Sequence, residues 1–388
     1  MTADERMALM TEAFAARYGH PPTLWTRAPG RVDLMGSHTD YNHGFILTMT
    51  IDRDTWFAAR PRADRTVRVA SLDMGGESTF SLDAVNTDHD QRWANYVRGM
   101  ASVMQEAGYT LAGVDALIHT TVPVSAGLSS SAALEMAAGR MFEAVAGLAI
   151  DPVQLAVFGQ RAENNFVGVN CGILDQYTSA VGQAGSALLL DARTITSQNV
   201  PLTPDIRVVI CDTRTKRELA GSEYGRRRAQ CEEGARALAA FYPGITHLRD
   251  VNLAQFEARA GELEPEVARR CRFIVEENAR VAAFATALSA GDRSAMSDLC
   301  AASFAGARDL YAITSCEMQV MLAAMLAAPG CIAARQAGAG FGGCMAAFVE
   351  AGSETAFAAQ VAPAYQAATG IEPHIYPVVA SAGAGRVE

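Results

Sequence analysis

Residues 28–44 read APGRVDLMGSHTDYNHG and hold polar side chains at a density that core packing does not require. A buried strand or helix would show apolar residues at a period of 2 or 3.6, and this run shows neither. It contains a series of side chains that donate or accept hydrogen bonds: Arg31, Asp33, Ser37, His38, Asp40, Tyr41 and Asn42. The run predicts a polar pocket that surrounds a polyhydroxylated ligand.

Composition restricts the class of protein. The chain has 388 residues, half of them hydrophobic, so it can bury a sizeable core as one large domain or two. The net charge of −10 argues against a nucleic-acid partner, because neutralising phosphates needs a basic face. No signal-peptide pattern and no apolar run of about 18 residues is visible, so we expect no membrane partner. Eight cysteines without a CxxC pair predict free thiols and a cytoplasmic location.

Strand-like and helix-like segments alternate along the chain, which predicts a mixed α/β or α+β architecture. The candidate strands are residues 46–52, 115–122, 186–191, 206–212 and 345–350. The candidate helices are residues 131–148, 152–165, 217–241, 266–289 and 316–328. Residues 191–205 are polar with two prolines, and we predict that they form the passage between two halves of the chain.

Residues 122–132, VPVSAGLSSSA, follow a predicted strand and precede a predicted helix. In that context Gly127 permits close backbone approach, three hydroxyls add donors, and the positive end of the helix dipole favours an anion. These hydroxyls belong to Ser129, Ser130 and Ser131. The spacing is not GxxxxGK[ST], which excludes the Walker mechanism here, and the alternative interpretation is a serine-rich helix cap.

Two carboxylates stand near a glycine-containing stretch, Glu163 on a predicted helix and Asp175 within VNCGILDQYTSAVG. Phosphoryl transfer needs one acid to hold Mg²⁺ through oxygen and another to accept a proton from the attacking hydroxyl. The pair is compatible with that division of labour. From the residues alone, either carboxylate could equally cap a structural element.

Residues 338–343, GAGFGG, formally match the dinucleotide-binding pattern GxGxxG. The context argues against that function, because the motif follows a predicted helix and no acidic residue stands about twenty positions later. We predict a tight glycine turn before the strand at Met345, with Phe341 filling the core.

These motifs, in this order, resemble those of the GHMP small-molecule kinases, and the first resembles the galactokinase branch. The galactokinase signature is close to GRVNLIGEHTDYN, and residues 30–42 read GRVDLMGSHTDYN. The phosphate motif PxxxGLSSSA stands at residues 123–132, and the third motif, GGGFGGC, appears as GAGFGGC at residues 338–344. Further similarities fall between these motifs, so the resemblance covers nearly the full chain.

The resemblance implies an α+β fold of two lobes, residues 1–195 and residues 196–388, with the active site in the cleft between them. It also implies direct transfer of the γ-phosphoryl group of ATP to the anomeric hydroxyl of a sugar, with Mg²⁺ and without a covalent intermediate. Position by position, Asp175 matches the proposed base and Arg31 the arginine that orients it. Ser131 and Glu163 match Mg²⁺ ligands.

The same resemblance assigns the binding residues. The backbone of Gly127, Leu128, Ser129, Ser130 and Ser131 would hold the phosphates, and Trp93 and Tyr96 would face the nucleotide. The sugar site would be lined by His38, Asp40, Gly172 and Tyr224.

Ser37 is the informative departure, since galactokinases have glutamate there, a residue associated with the C6 hydroxyl of the sugar. A serine can still bond a hydroxyl through water, so galactose stays the leading substrate. A sugar with a C6 carboxylate, such as galacturonate, or one without C6, such as L-arabinose, is the alternative. A galactokinase-like sugar sensor without turnover, or another GHMP activity on mevalonate or homoserine, is also open, and the sequence identifies no protein partner.

Overall fold

The structure is a computed structural model that describes residues 1–124, 126–215 and 220–387. Its α-helices are α1 (Ala3–Tyr18), α2 (Ala94–Glu106), α3 (Ser130–Ala146), α4 (Pro152–Arg161), α5 (Leu174–Val181), α6 (Ala220–Ala239), α7 (Leu253–Arg259), α8 (Pro265–Ala290), α9 (Arg293–Gly306), α10 (Cys316–Leu326) and α11 (Glu354–Thr369). No helix of the described chain is long and apolar enough to cross a membrane.

The strands form two sheets. They are β1 (Leu24–Met35), β2 (Phe45–Pro61), β3 (Thr66–Ser71), β4 (Glu77–Ser81), β5 (Val114–Thr120), β6 (Ser186–Asp191), β7 (Thr196–Pro201), β8 (Ile206–Asp212), β9 (Cys331–Gln336), β10 (Cys344–Glu350), β11 (His374–Val378) and β12 (Gly385–Arg386). Every strand pair is antiparallel except β3 with β5.

The larger sheet runs β12-β1-β2-β5-β3-β4, with β6 also paired to β2 and β7 to β6. The long strand β2 organises it, because its first residues pair with β6 and its last residues pair with β5. Strand β1 carries residues 24–35 along the other edge of β2, so the polar run of the sequence begins in a strand of this sheet. The smaller sheet has the order β11-β8-β10-β9.

Helices cover both sheets. One buried cluster packs helices α2 to α5 against the larger sheet through side chains such as Phe57, Met100 and Phe142. A second joins the two sheets, because Val32 and Met49 of the larger sheet cluster with Phe348 of the smaller sheet and with α8. The part of β1 that contains residues 28–35 is thereby packed against the smaller sheet.

The helix ends follow local chemistry. Helix α8 begins where the side chain of Glu264 accepts hydrogen bonds from the backbone of Glu266 and Val267, with proline at the first helical position. It ends at Gly291, which has a left-handed φ of +67°. The helix that follows the serine run, α3, ends in the same way at Gly147.

Each predicted strand and helix is present in the described residues; the strands predicted at residues 186–191 and 206–212 keep those bounds, and the other elements have shifted ends. The strand predicted at residues 46–52 is longer, Phe45–Pro61, and the helix predicted at residues 152–165 ends as α4 and continues as a π-helical turn, Ala162–Val167. The helix predicted from residue 217 is described from Ala220 onward, and the start of that prediction lies outside the described residues.

Residues 191–205 contain more than a passage, because β7 within them pairs with β6 in a hairpin of the larger sheet, and the chain crosses to β8 of the smaller sheet at residues 202–205. One sequence interpretation was wrong. The GAGFGG motif follows a strand, β9, since residues 331–336 pair with β10 and the six-residue segment is too short to show a period. Strand β10 comes after the motif instead of a helix, so a dinucleotide-binding unit is still excluded. The division of the chain at residues 195 and 196 stays a prediction.

Candidate active site

The phosphate loop is held against strand β1. The amide of Arg31 donates a 3.1 Å hydrogen bond to the carbonyl of Leu128. A Cβ on Gly30 would lie 2.6 Å from the same carbonyl oxygen, so glycine is required for this approach. Within the described part of the loop, Gly127 has a φ of +86° and Ser129 a φ of +58°. A left-handed serine costs about 1–2 kcal/mol, which marks the loop as a strained functional segment.

Arg31 and Asp175 form an ion pair at the end of this loop. The guanidinium donates to Oδ1 of Asp175 from Nε at 2.9 Å and from Nη2 at 2.6 Å, while Nη1 donates to the carbonyl of Gly127 at 2.8 Å. Burial acts to lower the pKa of Arg31, but the carboxylates of Asp175 and Asp33 outweigh it and the pKa is raised. Arg31 is therefore a fixed cation that joins the loop to the carboxylate.

The second oxygen of Asp175 has a different partner. The hydroxyl of Ser129 donates a hydrogen bond to Oδ2. Asp175 lies in the first turn of α5 and Ser129 immediately before α3, so two helix starts meet at this carboxylate.

Glu163 lies in the π-helical turn after α4, within a cluster of buried polar groups. Its Oε2 accepts hydrogen bonds from Gln176 at 2.6 Å and from the thiol of Cys171 at 3.2 Å, and Ser131 bonds to the same carboxylate. Burial and the nearby Asp175 charge raise the pKa of Glu163. The fully buried Glu135 shares the donor Gln176, at 2.9 Å, and burial raises its pKa well above the usual range.

A cavity of about 800 Å³ opens at Asp175, and we call it the Asp175 cavity. Its lining includes six residues singled out from the sequence: Arg31, His38, Asp40, Gly172, Asp175 and Tyr224. Asp33 of the predicted polar run also lines it, together with residues that the sequence reasoning did not assign: Gly36, Gly168, Val169, Asn170, Cys171, Leu174, Gly225, Arg228, Gly338 and Ala339. The third motif thus contributes its first two residues to the wall.

His38 supports the wall as well as lining it. Its Nε2 lies 2.8 Å from the carbonyl of Ala339, so that nitrogen carries the hydrogen, and Nδ1 accepts from the hydroxyl of Tyr41 at 2.8 Å. Burial lowers the pKa of His38 to about 4, which keeps the ring neutral near pH 7. Its ring lies 5.2 Å from that of Tyr224, so the two form an aromatic face of the cavity.

Asp40 faces Gly172 across the cavity wall. A Cβ on Gly172 would lie 2.1 Å from Oδ2 of Asp40, so only glycine allows the carboxylate to stand there. Burial raises the pKa of Asp40 to about 6.

Ser37 lies behind the Asp175 cavity and not on its wall, since Gly36 and His38 line the cavity on either side of it in the sequence. Its side chain points to the fully buried Arg335, whose Nη2 donates to the Ser37 hydroxyl at 3.1 Å. A contact between Ser37 and substrate stays a prediction.

A second cavity, of about 750 Å³, contains Trp93 and is called the Trp93 cavity. Trp93, Tyr96, Ser130 and Ser131 line it, as the sequence reasoning expected for the nucleotide side. Its other lining residues are Thr55, Ser71, Met74, Thr87, Asp88, His89, Arg92, Asn95, Ile118, Thr120, Val124, Leu134, Phe166 and Val167. The described phosphate loop separates the two cavities, with Ser130 and Ser131 on one side and Ser129 bonded to Asp175 on the other.

The unassigned lining residues had little sequence signal. Residues 71–74 and 87–89 are short polar turns whose place beside the Trp93 cavity depends on sheet pairing and on α2. Cys171 stands next to the chosen residue Gly172, and its own contribution depends on which face of the backbone it occupies.

The comparisons with known proteins agree with this geometry. The family model described as galactokinase galactose-binding signature matches residues 12–61. The model for the GHMP kinases N terminal domain matches residues 95–183. Both matches include residues that meet at the Arg31 and Asp175 pair.

Curated relatives extend over the whole chain. The galactokinase of Roseiflexus sp. (strain RS-1) is 44% identical over 378 residues, which are 97% of this chain and 96% of the relative. The galactokinase of Chloroflexus aurantiacus (strain ATCC 29366 / DSM 635 / J-10-fl) is 42% identical over 379 residues, covering 98% and 97%.

Some solved structures match this chain in both sequence and fold, and others match it in fold alone. The crystal structure of Lactococcus lactis galactokinase complexed with galactose has a TM-score of 0.94 at 32% identity, covering 98% of this chain and all of that chain. A mevalonate kinase structure has a TM-score of 0.63 at 13% identity, which reports the shared α+β fold alone. With near-complete coverage by galactokinases above 40% identity, this chain belongs to the galactokinase family of the GHMP kinases.

Proposed function

We propose that the protein transfers the γ-phosphoryl group of ATP to the anomeric hydroxyl of galactose. The observation that carries the proposal is the ion pair of the buried Arg31 with the half-buried Asp175, which lines the Asp175 cavity and touches the phosphate loop through Gly127. The relatives' names identify the reaction class, and the Lactococcus lactis structure holds galactose.

In this proposal Asp175 accepts the proton of the C1 hydroxyl. A sugar hydroxyl is a far weaker acid than a carboxylic acid, so the proton moves late, when the bond to phosphorus is already forming. Arg31 keeps the carboxylate oriented and stabilises charge that develops at the reacting oxygens. The resemblance to the GHMP kinases implies direct transfer without a covalent intermediate, and a positioned base and cation suit such a transfer.

The phosphate loop binds the nucleotide. The backbone of Gly127, Leu128 and the three serines faces the start of α3, where the helix dipole favours negative charge. Trp93 and Tyr96 lie on the wall of the neighbouring cavity and provide aromatic surface for the base.

The residues present fit a magnesium ion brought with ATP. Glu163 and the hydroxyl of Ser131 are hard oxygen donors. The described residues contain no group of three or more His, Cys, Asp or Glu side chains arranged to hold a metal, so the protein would supply only part of the ligand set. Mg²⁺ is commonly held by one or two carboxylates together with substrate phosphates, which matches that donor set. When bound, Mg²⁺ neutralises phosphate charge.

The sugar would be held by His38, Asp40, Gly172 and Tyr224, with Ser37 acting from behind the wall. Asp40 offers acceptors for sugar hydroxyls, and the aromatic face of His38 and Tyr224 offers an apolar surface. Gly172 contributes by leaving room for the Asp40 carboxylate.

We further propose that the protein works in the cytoplasm and that residues 1–195 and 196–388 form its two lobes. Seven cysteines of the described residues, those other than Cys344, are free thiols, which suits a reducing compartment. The net charge of −10 supports the expectation that nucleic acid is not a partner.

The test is ADP formation with Mg-ATP over a panel of sugars, with Asp175→Asn as the blank. The panel contains galactose, galacturonate, L-arabinose, N-acetylgalactosamine and glucose, with mevalonate as the non-sugar control. We expect turnover led by galactose, and loss of turnover in Asp175→Asn with nearly unchanged binding of ATP and galactose by calorimetry, because the substitution keeps the shape and removes the base. Near-normal turnover in Asp175→Asn would overturn the role of Asp175. Binding of both ligands by the unaltered protein without ADP release would support a sugar sensor instead.

A further inference from the structure

We propose that Ser129 is a positioning residue for the transfer, which fixes the Asp175 carboxylate to the phosphate loop and does not serve mainly to bind phosphate. The inference rests on the proposed function of Asp175 as the base. It assigns the first serine of the SSS run a different task from the two that follow it.

The first observation is the direction of the Ser129 side chain. Its hydroxyl donates to Oδ2 of Asp175, and the residue is 7% exposed. Ser130 and Ser131 line the Trp93 cavity, whereas Ser129 is absent from the lining of both described cavities. The Ser129 hydroxyl is therefore engaged by the carboxylate, whereas the next two serines border the Trp93 cavity.

The second observation is how the two oxygens of Asp175 are shared. Both hydrogen bonds from Arg31 end on Oδ1, and within residues 1–124, 126–215 and 220–387 Ser129 is the partner recorded for Oδ2. The Asp175 side chain is 27% exposed, so packing alone does not hold it. Without Ser129, the carboxylate can rotate about its Cβ–Cγ bond while the ion pair with Arg31 persists.

The third observation is the backbone of the loop. Ser129 has a φ of +58°, where glycine would be free of strain. Nevertheless, the position carries a hydroxyl, and the neighbouring carbonyls of Gly127 and Leu128 are both bonded to Arg31. The base, the cation and the phosphate loop thus form one connected unit, so a shift of the loop moves the base with it.

The consequence concerns the chemical step. A base whose direction is set by the phosphate loop faces the sugar hydroxyl correctly when the phosphates occupy that loop. Losing the Ser129 hydroxyl would leave both binding cavities intact and misalign the base. We therefore expect the loss of this hydroxyl to lower kcat and to leave the KM of each substrate nearly unchanged.

The test uses Ser129→Ala and Ser129→Gly. Alanine removes the hydroxyl and keeps the strained backbone, whereas glycine removes both the hydroxyl and the strain. We expect both variants to lower the single-turnover rate of phosphoryl transfer about 10- to 100-fold, with KM for ATP and galactose within about 3-fold of the unaltered protein. Thermal unfolding followed by circular dichroism establishes that each variant is folded at the assay temperature.

Ser130→Ala is the matched comparison, since its hydroxyl faces the Trp93 cavity and we expect it to raise KM for ATP. If Ser129→Gly also raised KM for ATP at an unchanged rate, Ser129 would be a phosphate ligand and the inference would be wrong. A normal rate in Ser129→Gly with a loss in Ser129→Ala would make backbone strain the cause, and would equally overturn it.

A double variant separates this inference from the proposed function. Ser129→Ala and Arg31→Lys both loosen the same carboxylate, so their combined loss should be smaller than the product of the single losses. A fully multiplicative loss would contradict a shared action on Asp175. Normal turnover in Asp175→Asn would refute the base itself, whereas loss in Asp175→Asn with normal Ser129 variants would refute only the inference.

Discussion

Arg335 donates a 3.1 Å hydrogen bond from Nη2 to the hydroxyl of Ser37, and both side chains are buried. The same nitrogen lies 3.1 Å from Oε1 of Glu277, while Nη1 has no hydrogen-bond partner among the described residues. Position 37, where galactokinases have glutamate, is thus hydrogen-bonded to a buried arginine whose Nη1 has no acceptor among the described residues.

Replacing Ser37 with glutamate tests the substrate side of that relationship. We expect Ser37→Glu to shift preference towards galactose over L-arabinose by roughly 1 to 3 kcal/mol in kcat/KM, if a buried hydrogen bond to C6 is restored. Ser37→Gln is the control with the same length and no charge. An unchanged ratio across the sugar panel would mean that position 37 acts only on Arg335.

The buried ion pair predicts a large effect on stability. Burial acts to raise the pKa of Glu277, but Arg335 and Arg280 outweigh it and the pKa is lowered, so Glu277 is ionised. Arg335→Met leaves that charge with fewer partners, and we expect urea unfolding to report a loss of about 3–5 kcal/mol. Arg308→Met, which breaks an exposed pair with Asp309, should change the free energy of unfolding by less than about 1 kcal/mol.

Gly172 predicts a selective loss of sugar binding. In Gly172→Ala the new Cβ would overlap Oδ2 of Asp40, which lies 2.1 Å away, so the carboxylate must move. We expect KM for galactose to rise about 10-fold or more while KM for ATP stays nearly constant, because a misplaced polar group loses its hydrogen bonds. Gly225→Ala, with open space around its Cβ, is the matched control, and an equal effect in both variants would contradict this explanation.

Asp40 predicts a pH dependence of sugar affinity. Burial raises the pKa of Asp40 to about 6, so the carboxyl is protonated below that value and loses its charged acceptors. Galactose should therefore bind more weakly as the pH falls from about 7.5 to about 5, with the change centred near the pKa. Calorimetric titration with galactose alone measures it. Asp40→Asn should bind weakly at every pH, and a pH dependence that survives in this variant would identify another group.

The three hydrogen bonds of the Arg31 side chain predict that the shape of its guanidinium matters as well as its charge. Lysine keeps the positive charge in Arg31→Lys but cannot bond Asp175 twice and Gly127 at the same time, because it lacks the planar fork. We expect kcat to fall about 100-fold or more, with binding of ATP by calorimetry little changed. Retention of more than a third of the activity would show that a nearby cation is sufficient.

Much of the site was predictable because its residues stand in local motifs. Residues 28–44 and 122–132 indicate their chemistry by composition alone, and the structure brings both to the same place. Helix α3 after the serine run follows from the order of turn, hydroxyl and apolar residues. The approach of residues 31 and 175, 144 positions apart, was implied by the resemblance and is realised by the ion pair.

Other features depended on contacts that no local pattern encodes. Strand β9 escaped notice because six residues are too few to show a period, and β7 because polar residues can form an edge hairpin. The lining turns at residues 71–74 and 87–89 carry no signal of their own. The hydroxyl of Ser37, which the sequence indicated as a contact to sugar, accepts a hydrogen bond from Arg335, 298 residues away along the chain, and its contact with sugar stays a prediction.

The sequence by itself determined the chemical inventory: a cation, carboxylates, and a glycine and serine loop that precedes a helix. It could do so because hydrogen-bonding groups and turn residues act over a few positions. Only the tertiary structure decided which partner each group has, for example that Ser129 bonds to Asp175 and that Gly172 makes room for Asp40. The direction of a side chain depends on the burial and packing of segments far apart in sequence, and that arises only when the two sheets and their helices come together.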